Sequence, residues 1–133
     1  MIYRRDIRIE FNHCDPAGIV FYPRYYEMIN SVCENYFRDA VGRSFAEMIR
    51  LTQGVPTARL ETDFKVPSRL GELLDFQLTI RRLGGTSVTF SINAFGDGVL
   101  RLSALITLVF VSGSLKACAW PEEMRARMAD YVQ

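Results

Sequence analysis

Asp15 is the residue whose type and setting in this sequence most clearly suggest chemistry. It precedes Pro16 and the small pair Ala17-Gly18, so a ligand could approach the backbone closely at this point. Pro23 stands a few residues further on, where the first turn of a helix would begin. The free N–H groups of a helix start stabilise a developing negative charge. A carboxylate beside such donors suits the hydrolysis of an activated carbonyl compound.

The same stretch also has a plain structural interpretation. An Asp-Pro pair commonly forms a turn in which the carboxylate accepts backbone hydrogen bonds. Several aromatic residues near the expected helix could line a pocket for an acyl group, but such a stripe more often belongs to a core. They are Tyr22, Tyr25, Tyr26, Tyr36 and Phe37. Residue types alone therefore leave both interpretations open.

Other catalytic and metal-binding sets find little support in the sequence. His13, Cys14 and Asp15 cannot form a relay, because neighbouring side chains of an extended segment point to opposite sides. His13 is the only histidine, and neither a GxSxG elbow nor a glycine-rich nucleotide motif is present. Cys33 and Cys118 complete an odd set of 3 cysteines without a CxxC pair. We therefore expect no metal site and a reduced, cytosolic environment, with Cys14 and Cys33 as small buried hydrophobic residues.

Basic residues near the ends of predicted strands could meet an anionic partner. They are Arg81, Arg82, Arg101 and Lys116. Solvated sheet edges that discourage aggregation explain these charges at least as well.

Length and composition predict one globular domain over residues 1–133, since 49% of the residues are hydrophobic and 23% are charged. The formal net charge of +1 argues against an electrostatic nucleic-acid binder. The N-terminus lacks a continuous apolar run of the signal-peptide type. Val99 to Val111 is interrupted by Arg101 and is shorter than the roughly 20 residues of a membrane span. We expect a soluble, cytosolic protein with no membrane partner.

A long helix directly follows the segment that contains Asp15. Apolar residues recur at three- and four-residue steps and predict a helix from about Arg24 to Val41, closed by Gly42. Its expected length is on the order of 27 Å. Shorter helices are predicted over Phe45 to Leu51 and over Pro121 to Val132.

Period-two alternation predicts five strands in the rest of the chain. They span Tyr3 to Phe11, Ala58 to Val66, Leu74 to Arg81, Val88 to Ala94 and Val99 to Val111. Glycine-rich turns at residues 84–85 and 96–98 join the last three. The fifth strand is apolar on both faces, so we expect it in the middle of the sheet or covered on both sides, with its outer face as a possible oligomer contact. The predicted class is α+β, with a mainly antiparallel sheet packed on one helix.

Residues 15–23, Asp-Pro-Ala-Gly-Ile-Val-Phe-Tyr-Pro, are preceded by Cys14 and followed by Asn35-Tyr36-Phe37. This pattern resembles the signature of the 4-hydroxybenzoyl-CoA thioesterase family of hotdog-fold proteins. The order of one strand, one long helix and four strands agrees over nearly the whole chain. The resemblance implies a five-stranded sheet wrapped around a central helix, with strands that pair across a homodimer and active sites at the subunit interface, often within a homotetramer. It also implies an acyl-CoA substrate and no metal or bound cofactor.

The resemblance assigns roles to individual residues. Asp15 falls on the catalytic carboxylate, as nucleophile or as base for a water, and the backbone N–H of Tyr22 would polarise the thioester carbonyl. Asn30 would face the acyl pocket. Gly18 and Tyr25 are the further substrate contacts that we expect, because Gly18 allows close approach and Tyr25 belongs to the aromatic stripe.

The sequence also departs from known branches of the family. One branch, linked to envelope-associated acyl-CoA hydrolysis, has His at the position of Tyr22 and Glu at that of Asn30. The sequence looks closer to the aromatic acyl-CoA branch, yet the Pseudomonas-type enzyme has at the position of Asn30 an Asp that meets the para-hydroxyl group. Its paired CoA-phosphate arginines align with residues 84–85, both glycines here. Arg81 and Arg82 could replace these arginines as contacts for the CoA phosphates, but only their nearness in sequence suggests this.

The main hypothesis is an acyl-CoA thioesterase. A hotdog dehydratase or isomerase acting on a CoA-bound or carrier-bound acyl chain is the alternative among enzymes. A non-catalytic acyl-CoA binding protein is the alternative outside them. The sequence leaves open the acyl group and whether attack is direct or through water.

Overall fold

A five-stranded antiparallel sheet and one long helix make up most of the structure, a computed structural model that describes residues 1–133. The strands are β1 (Tyr3–Arg8), β2 (Gln53–Gly54), β3 (Thr57–Phe64), β4 (Leu73–Leu83), β5 (Ser87–Gly96), β6 (Val99–Val109), β7 (Val111–Ser112) and β8 (Lys116–Ala117). The helices are α1 (Pro23–Tyr36), α2 (Phe45–Arg50) and α3 (Glu122–Ala129). The main sheet has the order β1-β4-β5-β6-β3, and β2, β7 and β8 form a second, smaller sheet. The predicted fold class is confirmed.

The long helix begins and ends where its sequence signals lie. Pro23 occupies the first helical position, where its fixed φ suits the turn and its missing N–H is not needed. A π-helical turn, Phe37–Val41, extends α1 to the predicted C-terminus. Gly42 adopts a left-handed conformation with φ of 81°, and its N–H returns to the carbonyl of Phe37. The predicted extent is therefore confirmed, although the last turn is wider than an α-helix.

The core lies between α1 and one face of the sheet. Alternate residues of β4, β5 and β6 are buried, as the period-two pattern predicts. The opposite face carries polar pairs, such as the hydroxyls of Thr89 and Thr107 at 2.8 Å and the hydroxyl of Ser103 donating to the Asn93 amide oxygen at 2.7 Å. β6 lies between β5 and β3, and Leu105 on its outer face is half-buried. The sheet thus has an apolar inner face and a largely polar outer one.

The first predicted strand is too long at its C-terminus. β1 ends at Arg8, and the chain then forms a 3₁₀ turn, Phe11–His13, that leaves Phe11 84% exposed. The reason is non-local: Ile9 donates its N–H to the carbonyl of Glu72 and accepts the N–H of Gly71, both at 2.8 Å. Ile9 thus pairs with the residues just before β4, and the 3₁₀ turn follows two residues later.

The sheet has two edges, and no strand of the chain pairs with the outer side of β1 or β3. Along β3 only Leu60 and Thr62 are partly buried. None of the three α-helices combines the length and apolar character needed to cross a membrane.

Candidate active site

A tight loop places Asp15 directly in front of α1. Cys14 and Val20 form an antiparallel bridge at its base, and the N–H of Asp15 donates to the carbonyl of Ile19 at 3.0 Å. The N–H of Gly18 donates to the carbonyl of Asp15 at 2.9 Å. Gly18 has a φ of 78°, and an added Cβ would meet no atom within 4 Å. The turn therefore requires glycine for its backbone conformation and not for lack of space.

The two carboxylate oxygens of Asp15 have different surroundings. Oδ1 accepts the N–H of Ala17 at 2.9 Å, which forms an Asx turn. Oδ2 accepts no hydrogen bond from the protein, and no Lys, Arg or His forms an ion pair with this half-buried side chain. The structural and chemical interpretations are thus compatible, because one oxygen holds the turn while the other stays free.

The backbone N–H of Tyr22 is unpaired at the start of α1. Its neighbours are engaged: the N–H of Phe21 donates to the carbonyl of His13, and the N–H of Arg24 donates to that of Phe21, both at 2.9 Å. Pro23 has no N–H, and that of Tyr22 finds no acceptor in the protein. An unpaired amide at the positive end of a helix is suited to bind an oxyanion.

A cleft of ≈ 340 Å³ opens beside Tyr22. Its lining combines residues of the loop, of α1, of the end of β3 with the segment after it, and of β6. The lining residues are Ile19, Val20, Tyr22, Tyr25, Phe64, Lys65, Val66, Pro67 and Arg101. The ring centroids of Tyr25 and Phe64 are 5.8 Å apart, and those of Tyr22 and Phe64 are 6.2 Å apart. Burial raises the pKa of Tyr25, so its hydroxyl is neutral at physiological pH. Three of the nine lining residues, Tyr22, Tyr25 and Phe64, are therefore aromatic, and the Phe64 ring is in contact distance of each tyrosine ring.

Arg101 is buried at the cleft, with 7% of its surface exposed. Its guanidinium donates to both carboxylate oxygens of Glu72, at 2.8 and 3.0 Å, and these hydrogen bonds lower the pKa of Glu72. The interpretation of Arg101 as a solvated charge at a strand end is therefore wrong. The side chain turns inward because Glu72 balances its charge and the adjoining loop accepts hydrogen bonds from Nη1, whereas Nε is buried without a hydrogen-bond partner.

Of the seven predicted site residues, only Tyr22 and Tyr25 line this cleft. Asp15 and Gly18 lie on the loop that precedes Ile19, and the remaining three lie elsewhere. Asn30 is exposed on α1 and lines no cleft of the single chain. Arg81 and Arg82 are exposed near the end of β4, and Arg81 lines a separate cleft with Glu61 and Asp63 of β3. The structure therefore groups Asp15, Gly18, Tyr22 and Tyr25 around one loop and helix start, but it does not bring the other three to them.

The histidine and the cysteines have structural positions. Nδ1 of His13 accepts the N–H of Glu10 at 2.8 Å, and the thiol of Cys14 lies 3.5 Å from the carbonyl oxygen of Glu10. Cys33 is buried, as predicted, and burial raises its pKa to about 12, whereas Cys14 is only half-buried. All three thiols, including that of Cys118, are free. No three side chains of His, Cys, Asp or Glu are grouped as metal ligands would be.

Sequence reasoning missed the segment that follows β3. Val66 and Pro67 of this segment line the cleft together with Phe64, the last residue of β3, and Ser68 beyond them is fully buried. One signal was present: Arg101 is the only charge in the run Val99 to Val111. A single charge in an otherwise apolar strand requires a partner, because burying it alone is costly.

Comparisons with known proteins show the family to which the chain belongs. Residues 17–101 match the family model described as the thioesterase superfamily, a range that begins after Asp15. A 4-hydroxybenzoyl-CoA thioesterase of Pseudomonas sp. (strain CBS-3) is 53% identical over 30 residues, 23% of this chain and 21% of that protein. Acyl-CoA thioesterase YbgC of Haemophilus influenzae is 23% identical over 123 residues, 90% of this chain and 89% of that protein. The solved structure of a gentisyl-coenzyme A thioesterase has a TM-score of 0.86 at 26% identity, covering 92% of this chain and 99% of that one.

Proposed function

Because this chain belongs to the thioesterase superfamily, we propose that it hydrolyses an acyl-CoA thioester to a free acid and CoA, with Asp15 and the N–H of Tyr22 as the reacting site. One observation carries the proposal: a single braced loop presents a carboxylate oxygen and a backbone N–H that both lack partners in the protein. Thioester hydrolysis needs a base or nucleophile and a donor for the oxyanion.

The reaction follows from these two groups. In the base mechanism Oδ2 of Asp15 takes a proton from a water while the water oxygen bonds to the carbonyl carbon. In the nucleophilic mechanism Oδ2 bonds to that carbon itself, and water then cleaves the mixed anhydride. In both cases the carbonyl oxygen becomes an oxyanion that the Tyr22 N–H binds, and the C–S bond breaks as the carbonyl re-forms. The CoA sulfur takes the proton that Asp15 holds in the base mechanism, and a proton from water in the nucleophilic mechanism. Such a donor is worth about 2.7–4 kcal/mol of barrier.

An aromatic acyl group is our proposal for the substrate. The cleft beside Tyr22 is walled by Tyr25 and Phe64, and aromatic rings pair favourably at the centroid distances found here. Two of the similar proteins are named for 4-hydroxybenzoyl-CoA and gentisyl-coenzyme A. The amide of Asn30 differs from a carboxylate at that position, so we expect a ring without the para-hydroxyl contact. No metal or cofactor enters the proposed reaction.

A homodimer formed through the β3 edge would complete the site. That edge is unpaired in the chain, and aromatic surface beside it is exposed, including 48% of Phe64 and 58% of Tyr22. Pairing two β3 edges would cover this surface, and in this proposal Asn30 reaches the acyl group from the neighbouring subunit. Two such dimers would form a tetramer. The free thiols fit the cytoplasm, where acyl-CoA is available.

Release of CoA thiol from a panel of aromatic, short-chain and long-chain acyl-CoAs tests the reaction class. We expect thiol release, with the highest kcat/KM for an aromatic acyl-CoA. Loss of water with the thioester intact would show a dehydratase, and an isomerised acyl chain would show an isomerase. Saturable binding without turnover would show a binding protein. Each of these three results would overturn the proposal.

A further inference from the structure

We propose that Arg101 is a positioning residue for this reaction: its guanidinium fixes the segment 67–72, and that segment in turn fixes the loop that carries Asp15 and Tyr22. The inference rests on the proposed function, because it takes those two residues as the reacting groups. It assigns no contact between Arg101 and the substrate.

The guanidinium joins both ends of the segment to the sheet. Nη1 donates to the hydroxyl of Ser68 at 3.1 Å and to the carbonyl of Pro67 at 3.3 Å, at the start of the segment. Nη1 and Nη2 together donate to both carboxylate oxygens of Glu72, at its end. Nη2 also donates to the carbonyl of Gly96 at 3.1 Å, at the end of β5. One side chain thus ties the whole segment to β5 and β6.

The other side of the segment pairs with the catalytic loop. The N–H of Val20 donates to the carbonyl of Ser68 at 3.0 Å, and the N–H of Leu70 donates to that of Gly18 at 3.1 Å. Val20 lies two residues before Tyr22, and the N–H of Gly18 closes the turn of Asp15. A shift of the segment would therefore move the carboxylate and the oxyanion donor together. Even a misplacement of about 1 Å can lower a reaction rate on the order of 100-fold.

The chemistry of the Arg101–Glu72 ion pair favours a role in positioning the segment over a role in stabilising the fold. A buried ion pair often contributes no more to stability than apolar side chains of similar volume. Only arginine supplies a planar fork that reaches both oxygens of Glu72 and the carbonyl of Pro67 at once. The guanidinium also occupies space that only glycine at position 96 leaves free, because a Cβ on Gly96 would lie 2.7 Å from Cζ and Nη2 of Arg101.

Two variants disturb the guanidinium by different routes. Arg101→Lys keeps the charge but loses the fork, and Gly96→Ala keeps every charge but pushes the guanidinium away. We expect each to lower kcat about 10- to 100-fold, with KM changed less than about threefold since the aromatic lining residues Tyr22, Tyr25 and Phe64 are retained. Hydrogen exchange at the amides of Val20 and Leu70 should accelerate, while that of Ile92 in β5 stays at the wild-type rate. Ile80→Val, at the far end of β4, is the control for general destabilisation and should keep the wild-type kcat.

The outcomes separate the two levels of the proposal. Loss of kcat in both variants but not in Ile80→Val, measured well below each Tm, supports positioning by Arg101. If both variants fold and keep kcat within twofold of wild type, positioning by Arg101 is refuted. If Arg101→Lys does not fold, Gly96→Ala alone decides on the same criterion. If the proposed function itself is wrong, a different result shows it, because Asp15→Asn then keeps full activity.

Discussion

Gly18→Ala tests whether the loop that carries Asp15 requires the backbone conformation seen at Gly18. Gly18 has a φ of 78°, in the left-handed region that a residue with Cβ adopts at a cost of about 1–2 kcal/mol. No atom lies within 4 Å of an added Cβ, so we expect no steric clash to add to this cost. The whole effect should come from the backbone conformation.

The expected change in Tm follows from the length of the chain. An unfolding entropy of about 2.1 cal/mol/K per residue gives roughly 280 cal/mol/K for 133 residues. A loss of about 1–2 kcal/mol therefore lowers Tm by roughly 4–7 °C if the loop stays closed. If the turn relaxes instead, Tm falls less and kcat falls more, because the N–H of Gly18 no longer holds the carbonyl of Asp15.

The assay is thermal unfolding together with thiol release, at fixed protein concentration. Gly85→Ala is the matched control, because an added Cβ there also meets no atom within 4 Å and its φ is outside the left-handed region. That control should leave Tm unchanged or slightly higher. Gly18→Asn should fall between the two, since Asn tolerates the left-handed region better than Ala. If Gly18→Ala matches Gly85→Ala in both Tm and kcat, the reasoning about the turn is refuted.

Two further predictions concern Glu72, the ion-pair partner of Arg101, and Phe64, which lines the cleft. The pKa of Glu72 lies below its ordinary value of 4.5, chiefly because of hydrogen bonds from Arg101. The ionised pair therefore stabilises the fold above that pH, and this stability is lost as the pH falls through the lowered pKa. The free energy of unfolding, measured by chemical denaturation between pH 3 and pH 7, should therefore fall less steeply toward low pH in Glu72→Gln than in wild type. Equal pH dependence of the two proteins would contradict this. Phe64→Ala removes an aromatic wall, whose pairing is worth about 0.5–1.5 kcal/mol, and should raise KM for an aromatic acyl-CoA roughly 2- to 12-fold. KM for a short aliphatic acyl-CoA should change less, and an equal rise for both substrates would count against aromatic selection by this wall.

The secondary structure was largely predictable because its signals are local. Alternation identified β4, β5 and β6, and Pro23 and Gly42 marked the ends of the long helix. The alternation continues past Arg8 and so predicts a strand as far as Phe11, whereas β1 ends at Arg8 and Ile9 pairs with residues 71–72, which no local pattern reveals. The strands of the smaller sheet are two residues long, too short to show a period.

The candidate site was predictable only where it is contiguous in sequence. Asp15, Gly18 and Tyr22 lie within eight residues, so turn chemistry and the helix start bring them together. Phe64 comes from a distant strand, and its place in the cleft depends on how β3 pairs with β6. Arg101 showed itself as an isolated charge in an apolar run, but its partner Glu72 could be identified only from the folded chain.

The kcat of Asp15→Asn, measured by thiol release from the acyl-CoA that wild type cleaves best, tests the central claim most directly. Asp6→Asn, at an exposed carboxylate of β1 with no ion pair, is the control and should keep the wild-type rate. Asn retains an oxygen that can accept the N–H of Ala17, so the turn should persist and the unfolding transition should be close to that of wild type. We expect a fall in kcat of about 10²- to 10⁴-fold, the usual contribution of a positioned base. A folded Asp15→Asn with kcat within fivefold of wild type would contradict it.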